Sequence, residues 1–518
     1  MSSPTGATYP PALDDARERE RLVQVVKDWS IANGLAVRPP PAIAANDAEG
    51  ILAMNAPVTL FPSPFPKSCF DDARAIQAQY NELYARISQD EEFLGGLVQE
   101  VAGGDEFIGH LWNVHLRVKE EGYVQNLALG LFRSDYMVHQ DGDNLQIKQV
   151  EFNTIASSFG GLSAQTSLLH KHLAQTEYPL LTEPIPQSSF ELPANGSTNG
   201  LAAGLGAAFH AYGKSDLGHP TCVIFLVQDG ERNIFDQRHL EYALQADSIP
   251  VFRLPFSQIL THTNIAPSSS RRQLLYHLPH NPTRTFEVAV AYLRAGYGPD
   301  DYTVPSAWEA RYQIERSAAI ACPSVLTQLA GMKKVQQVLA TPSSTPSSGP
   351  SSDPTPAALR RLVPSAAAAA SLHRTFTNIY PMDALSPAGL AARALATDPA
   401  RCQKYVLKPQ REGGGNNVYR AAIPAHLART PAEHWASYIL MELITPPPVA
   451  NTILRNGVLE HGGVICELGV YGTCLWDQGS GEVLRNEEAG YLLRTKGDQS
   501  EEGGVAAGFG CMDSVRLV

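Results

Sequence analysis

Apolar and polar positions along the chain follow two rhythms. Short, almost wholly apolar runs predict buried strands at Thr221–Val227 (TCVIFLV), 288–293 (VAVAYL), 405–407, 437–444 (SYILMELI) and 464–471. Helical periodicity between them predicts helices over 309–320 and 325–339, and in part within residues 1–55 (ARERERLVQVVKDW). Such a mixture predicts an α+β or α/β chain with more than one sheet. Two stretches break the rhythm. Residues 183–200, rich in Pro, Ser, Asn and Gly, read as a surface connection. Residues 341–356 (TPSSTPSSGPSSDPTP) have too little apolar surface to offset the entropy of ordering, and are expected to be a disordered insertion between two helical runs.

Charge narrows the partners. The 518 residues carry 52 acidic and 40 basic side chains, a net −12, which argues against nucleic acid or an anionic membrane, since both call for a basic footprint. A small anionic ligand then needs locally concentrated positive charge. No apolar run reaches the roughly 18–20 residues of a membrane span, and the opening residues have neither a basic start nor an apolar core, so a cytoplasmic protein is expected. The seven cysteines are scattered without a C-x-x-C pair, which excludes a disulfide framework and a structural zinc site as expectations.

Three segments carry candidate chemistry. In LQIKQVEFNTIASSFGG (145–161), alternation places Leu145, Ile147, Gln149, Glu151 and Asn153 on one strand face. A carboxylate and an amide oxygen two residues apart suit a hard cation such as Mg²⁺, and the following SSFGG offers hydroxyls and backbone N–H groups to an anion; an exposed strand end running into a turn fits equally. In YVLKPQREGGGNNVY (405–419), Gly413, Gly414 and Gly415 remove every Cβ, so that backbone amides can approach phosphate, with Lys408 and Arg411 beside them. Glu412 at the loop entrance makes sense as a second metal ligand; the plainer reading is a glycine-rich hairpin turn. In LLRTKGDQSEEGGVAAG (492–508), Arg494 and Lys496 point to one side of an extended chain, and Glu502 leads into small residues, as in a flap ending in a tight wall.

Together these segments resemble the eukaryotic glutathione synthetase family of the ATP-grasp superfamily. The resemblance runs from about Thr59 to Gly508 and includes RSDYM (133–137), VEFNTIASSFGGL (150–162), ERNIFDQR (231–238), LRAGY (293–297), QLAGMKKVQQ (328–337), LKPQREGGGNN (407–417), YILME (438–442), ELGVYG (467–472) and LLRTK (492–496). It implies an α+β ATP-grasp fold with an inserted α/β substrate-binding domain and a glycine-rich lid. The units are expected at 1–55, 56–218, 219–322 and 323–518. It also implies magnesium held by Glu151, Asn153 and Glu412. ATP is then met by Glu151, Lys333, Lys408, Glu412, Gly413, Gly414, Gly415, Asn416, Asn417, Tyr419, Met441, Glu442, Leu443, Ile444, Glu467, Lys496 and Glu502. γ-Glutamylcysteine is met by Arg133, Ser157, Ser158, Glu231, Arg232, Asn233, Gln237, Arg294 and Tyr297, and the product end by Arg494, Val505 and Ala506. Arg133, Arg494 and Lys408 are the implied catalytic residues, and a homodimer is the implied assembly. Ala156 stands where the family has serine, Glu502 where it has aspartate, and the 341–356 insertion has no counterpart.

The implied reaction agrees with the residues. Joining a carboxylate to an amine in water needs activation, which an acyl phosphate made from ATP supplies. Attack on the γ-phosphate requires its charge to be neutralised, and the intermediate must be kept from water. Ligation of γ-glutamylcysteine to glycine is the expected function. The alternatives are the same chemistry on β-alanine or another small amine, and a non-catalytic ATP-binding module. Three other features are set aside. Gly213-Lys214-Ser215 lacks the upstream glycine of a phosphate loop, since Ala208 occupies that position. The pairs His170/His172 and His277/His280 lack further nearby ligands. Asn195-Gly196-Ser197 is a glycosylation sequon in a chain with no visible secretory signal.

Overall fold

The computed structural model describes residues 9–518 except 46, 48, 268–269, 342–354, 502–504 and 506–509. It is a mixed α+β architecture. Its largest sheet has seven strands in the spatial order Val449–Arg455, Val58–Thr59, Cys511–Asp513, Val483–Gly497, Val458–Asp477, Leu127–Asp141 and Asn144–Asn153. Val449–Arg455 also pairs with the first residues of Val458–Asp477, so five of these strands close into a ring. A second sheet takes all six of its strands from residues 221–322; Val251–Pro255, Thr221–Val227, Asn281–Leu293 and Ile320–Cys322 run parallel in it. A third, antiparallel sheet orders Ile379–Pro381, Ile439–Glu442, Tyr405–Lys408 and Val418–Tyr419. Among the described residues, no helix is long and apolar enough to cross a membrane.

The apolar strand runs are strands, with changed limits. Thr221–Val227 matches residue for residue, whereas 464–471 is the middle of a 20-residue strand and 437–444 shortens to Ile439–Glu442 behind a 3₁₀ turn. The helix expected over 309–320 is Pro305–Glu315, started by its proline, and its last residues instead enter the strand Ile320–Cys322. The run 325–339 divides into Val325–Ala330 and Lys333–Ala340. The break falls at Gly331, where a Cβ would lie 2.4 Å from Thr154 Oγ1, so only glycine lets this turn approach the acidic strand. Of the expected 183–200 connection, residues from Ser197 onward belong to the helix Ser197–Tyr212. The flanks of the Ser/Pro insertion are helical at Lys333–Ala340 and Ala357–Leu362, and its residues 342–354 lie outside the described ones.

The helix Lys67–Gln89 covers the large sheet through a buried aromatic stack in which the Tyr84 and Phe152 rings lie 3.7 Å apart, centroid to centroid. Asp513, at the end of a strand of that sheet, ties four segments together. Its fully buried carboxylate accepts from Thr59 Oγ1 at 2.7 Å, Ser63 Oγ at 2.6 Å, Thr495 Oγ1 at 2.6 Å and the Ser514 N–H at 2.7 Å. Burial pushes this carboxyl from the ordinary 3.8 up to about 6, against those hydrogen bonds. The folded chain therefore keeps a proton that the unfolded chain has already lost, and stability falls as pH rises through the interval between the two values. Relative to Asp513→Asn, the wild type should lose about 3 kcal/mol of stability in all between pH 3 and pH 7, about 2 kcal/mol of it between pH 4 and pH 6. Thermal melting of both proteins across this range checks it.

Candidate active site

Between the large sheet and the antiparallel sheet lies a cavity of about 300 Å³. Its floor is the acidic strand. Arg133 pairs across the ladder with Asn153, and Asp135 with Glu151. A register shift next leaves Val150 without a partner, so Tyr136 faces Gln149. This bulge corrects the expected alternation. Glu151 and Asn153 share a face, as expected, but the extra residue turns Gln149 and Ile147 to the opposite, core side. The bulged residue is used: the Val150 carbonyl accepts from Lys408 Nζ at 2.8 Å.

Two carboxylates and an ammonium form the centre. Lys333 Nζ lies 3.1 Å from Glu151 Oε2 and 3.0 Å from Glu412 Oε1. Burial, the largest influence, pushes the Glu151 carboxyl up, but Lys333, Lys408, Arg494 and Arg133 together outweigh it and hold the group well below the usual carboxylate range. Glu412 goes the other way: burial and the Glu151 charge raise it against Lys333. Glu412 Oε2 is buried with no hydrogen-bond partner among the described residues. An orphaned carboxylate oxygen and a second carboxylate bridged by an ammonium, with the Asn153 amide lining the same cavity, form a hard-oxygen donor set that fits Mg²⁺.

The glycine loop joins Tyr405–Lys408 to Val418–Tyr419 in an antiparallel pair, as the hairpin reading has it. Gly413, Gly414 and Gly415 have φ of 94°, 73° and 77°, a left-handed run that side chains other than glycine resist. A Cβ on Gly413 would sit 3.3 Å from the Tyr297 ring, which brings the loop against the 221–322 unit. Arg411 does not face the loop's interior. Its guanidinium pairs with the buried Asp105, the N-cap of the helix Glu106–Glu121, and lies over the Phe107 ring. The positive charge at the cavity comes instead from Arg133, Lys408, Arg420, Arg494 and Lys496.

Most of the expected site residues meet here. Arg133, Glu151, Asn153, Ser158, Tyr297, Lys408, Glu412, Gly413, Gly414, Asn417, Tyr419, Met441, Glu442, Leu443, Ile444, Glu467, Arg494, Lys496 and Val505 line the cavity. Gly415 and Asn416 lie on the exposed side of the loop, where Asn416 Nδ2 donates to the Gly414 carbonyl. The residues expected to meet the dipeptide form an adjoining cluster: Arg294 donates to Ser158 Oγ at 2.7 Å, and Glu231 accepts from the Asn233 N–H at 2.8 Å and from Gln237 Nε2 at 2.6 Å. Asn233 Oδ1, Gln237 Oε1 and Arg294 Nε are buried without partners among the described residues, a set of polar atoms suited to a polar ligand. Ser157 is turned inward, donating to the Leu131 carbonyl, and Arg232 donates to the Arg38 carbonyl at 3.4 Å, so neither lines the cavity. Glu502 and Ala506 lie outside the described residues.

Residue-type reasoning passed over two buried carboxylates. Asp135 accepts from Arg133, Arg494 and Asn153. Asp236 accepts from the backbone N–H groups of Phe159 and Gly161 at 2.8 Å and of Leu162 at 3.2 Å, capping the helix Gly160–Thr176 from a distant element. That capping supports the SSFGG turn, where Phe159 has φ 75°. Both stand inside quoted motifs, RSDYM and ERNIFDQR, so the motif signal was present while the partners were not. One histidine of each set-aside pair has ordinary partners: His170 is buried between Ser514 Oγ and the Thr59 carbonyl, and His277 bonds Thr285 and Asn264.

Comparison with known proteins agrees with this geometry. Residues 16–517 match the family described as eukaryotic glutathione synthase, ATP binding domain. The glutathione synthetase large chain of Schizosaccharomyces pombe is 38% identical over 517 residues, covering 96% of this chain and 97% of that protein. The glutathione synthetase of Homo sapiens is 35% identical over 509 residues, covering 97% and 98%. Among solved structures, a glutathione synthetase-like effector from Globodera pallida in its apo form is similar with TM-score 0.71 at 21% identity, over 98% of both chains, which speaks to the fold. A match of this length and identity, on a chain whose predicted carboxylates, cations and glycine loop converge on one cavity, settles the family: the chain belongs to the eukaryotic glutathione synthases.

Proposed function

We infer that this protein is an ATP-dependent ligase that joins γ-glutamylcysteine to glycine, releasing glutathione, ADP and phosphate. Family membership supports the reaction. The observation that carries it in this chain is Lys333 held between Glu151 and Glu412, beside a glycine loop in a cavity lined by five cationic side chains. A magnesium ion bound by Glu151, Asn153 and Glu412 would neutralise phosphate charge. The chain's own residues do the rest. Lys408, pinned by the Val150 carbonyl, and Lys496 offer positive charge to the phosphates. Arg133 and Arg294, both against Ser158, orient the peptide carboxylate for attack on the γ-phosphate, giving an acyl phosphate. Arg494 meets the charge that develops when the amine attacks. The loop 412–417 and the 498–501 segment cover the intermediate from water, and Arg420, just past the strand that follows the loop, pairs with Glu501 at 3.0 Å.

The finer assignments proposed with this reading are an ATP-grasp fold, a substrate-binding domain at 219–322, a glycine-rich lid, a homodimer and a cytoplasmic location. The six-stranded sheet drawn wholly from residues 221–322 supports the domain. Phosphate release from Mg-ATP, measured while omitting γ-glutamylcysteine, glycine or metal in turn, tests the function. Release is expected only with all components present, with the tripeptide found by mass. Nucleotide binding without release under every condition would overturn the ligase reading in favour of a non-catalytic module.

A further inference from the structure

We infer that Asp135 is the positioning residue of this site: one buried carboxylate that sets the orientation of the Asn153 amide toward the metal and holds Arg133 and Arg494 in place. The inference rests on the metal-assisted ligation proposed above and concerns a residue that, in that scheme, touches neither substrate nor metal.

Asp135 is fully buried, and four donors converge on it. Arg133 binds it in a fork, Nε to Oδ1 at 2.6 Å and Nη2 to Oδ2 at 2.8 Å. Oδ2 also accepts from Asn153 Nδ2 at 2.9 Å and Arg494 Nη2 at 3.0 Å. The ladder makes this convergence possible, because Arg133 faces Asn153 and Asp135 faces Glu151 on adjoining strands. Asn153 Nδ2 spends its second proton on the Arg133 carbonyl at 3.2 Å. With both N–H bonds committed to acceptors, the amide has one orientation. The flipped amide would set its oxygen against a carboxylate and a carbonyl, two acceptors with nothing to donate. Oδ1 is thereby the atom left to meet a cation. An amide ligand has no charge to orient it, so a fixed partner on its nitrogen is the way to present its oxygen reliably. The same carboxylate offsets two guanidinium charges that would otherwise crowd the cavity uncompensated.

Gly469 completes the arrangement. A Cβ there would lie 2.7 Å from Arg133 Cδ and 2.9 Å from Asp135 Oδ1, so the neighbouring strand is bare where this cluster needs room.

The test measures Mn²⁺ binding by electron paramagnetic resonance on the full chain, saturated with a β,γ-imido analogue of ATP. The proteins are wild type, Asp135→Ala, Asn153→Ala and the double variant, with turnover as a second readout. Asp135→Ala should weaken Mn²⁺ binding by about tenfold to hundredfold. In the Asn153→Ala background the same change should weaken it by clearly less, because the share that travels through that amide is already lost and only the loss of charge beside the two arginines remains. Turnover should nevertheless fall further in the double variant than in Asn153→Ala, through the two arginines. Unchanged Mn²⁺ affinity in folded Asp135→Ala, or losses that multiply in the double variant, would overturn the amide role. Equal turnover in the double variant and Asn153→Ala would overturn the arginine role. If Asp135→Ala does not fold, Gly469→Ala, which displaces the carboxylate while keeping its charge, decides in its place: weakened Mn²⁺ binding supports the inference and wild-type binding overturns it. Wild type that binds no protein-held Mn²⁺ at all would instead defeat the metal-assisted reading itself, a different failure.

Discussion

Replacing Glu412 with glutamine should lower ATP-dependent phosphate release by about three orders of magnitude while leaving the protein folded and able to bind nucleotide. The geometry separates these outcomes. Glu412 shares Lys333 with Glu151, so the ammonium keeps one carboxylate partner after the change, and no buried cation is left unpaired. Burial and the Glu151 charge already disfavour ionised Glu412, so an uncharged amide relieves a repulsion instead of breaking a core contact. What is lost is the carboxylate across the site from Glu151, which with Glu151 and Asn153 would hold a divalent ion and so neutralise phosphate charge. Melting temperature, binding of a fluorescent ATP analogue and phosphate release, measured side by side, check this. Release within tenfold of wild type would remove Glu412 from the metal set.

The second large effect is expected at Asp236, far in sequence from the turn it supports. Asp236→Ala leaves the N–H groups of Phe159, Gly161 and Leu162 without their acceptor and removes the partner of Asn233 Nδ2 at 3.1 Å. Unsatisfied buried donors cost about 1–3 kcal/mol each before relaxation, so a loss of roughly 3–5 kcal/mol is expected. The SSFGG turn, with Phe159 at positive φ, should then relax, and Ser158 with it. Because Ser158 meets Arg133 through its carbonyl and Arg294 through its hydroxyl, the KM for γ-glutamylcysteine should rise more than tenfold while the KM for ATP changes little. Denaturant unfolding and steady-state kinetics at varied dipeptide check both halves.

Local chemistry made much of this site readable. Glu151 and Asn153 were found from strand alternation, and Lys408, Glu412 and the glycines from a short apolar strand running into a Cβ-free loop; both features depend on neighbours in sequence. Lys333 has no such local signal. It opens a helix within QLAGMKKVQQ and matters because 79 residues of chain bring Glu412 back to it, so it came only from family resemblance. Asp135 and Asp236 were passed over for the same reason, since a carboxylate's role depends on which donors the fold delivers to it. Arg411 misled in the opposite sense, being adjacent to the loop in sequence yet claimed by Asp105. The bulge at Val150 was hidden as well. A pleat that gains one residue keeps its apolar composition, and only the partner strand shows where the register slips.

The strand order of the large sheet also bears on how the protein is made. Cys511–Asp513 is threaded between Val58–Thr59 and Val483–Gly497, so residues near position 58 wait for a neighbour more than 450 positions later, as the Thr59–Asp513 hydrogen bond records. A ribosome adding about 5–20 residues per second leaves that gap open for tens of seconds or more, with apolar residues such as Val58, Leu60 and Phe61 lacking their final cover. The 221–322 sheet, complete within its own segment, can form meanwhile. Synthesis thus proceeds with one finished unit riding on an unfinished one, and the emerging chain is a natural client for chaperones until residues 511–517 arrive.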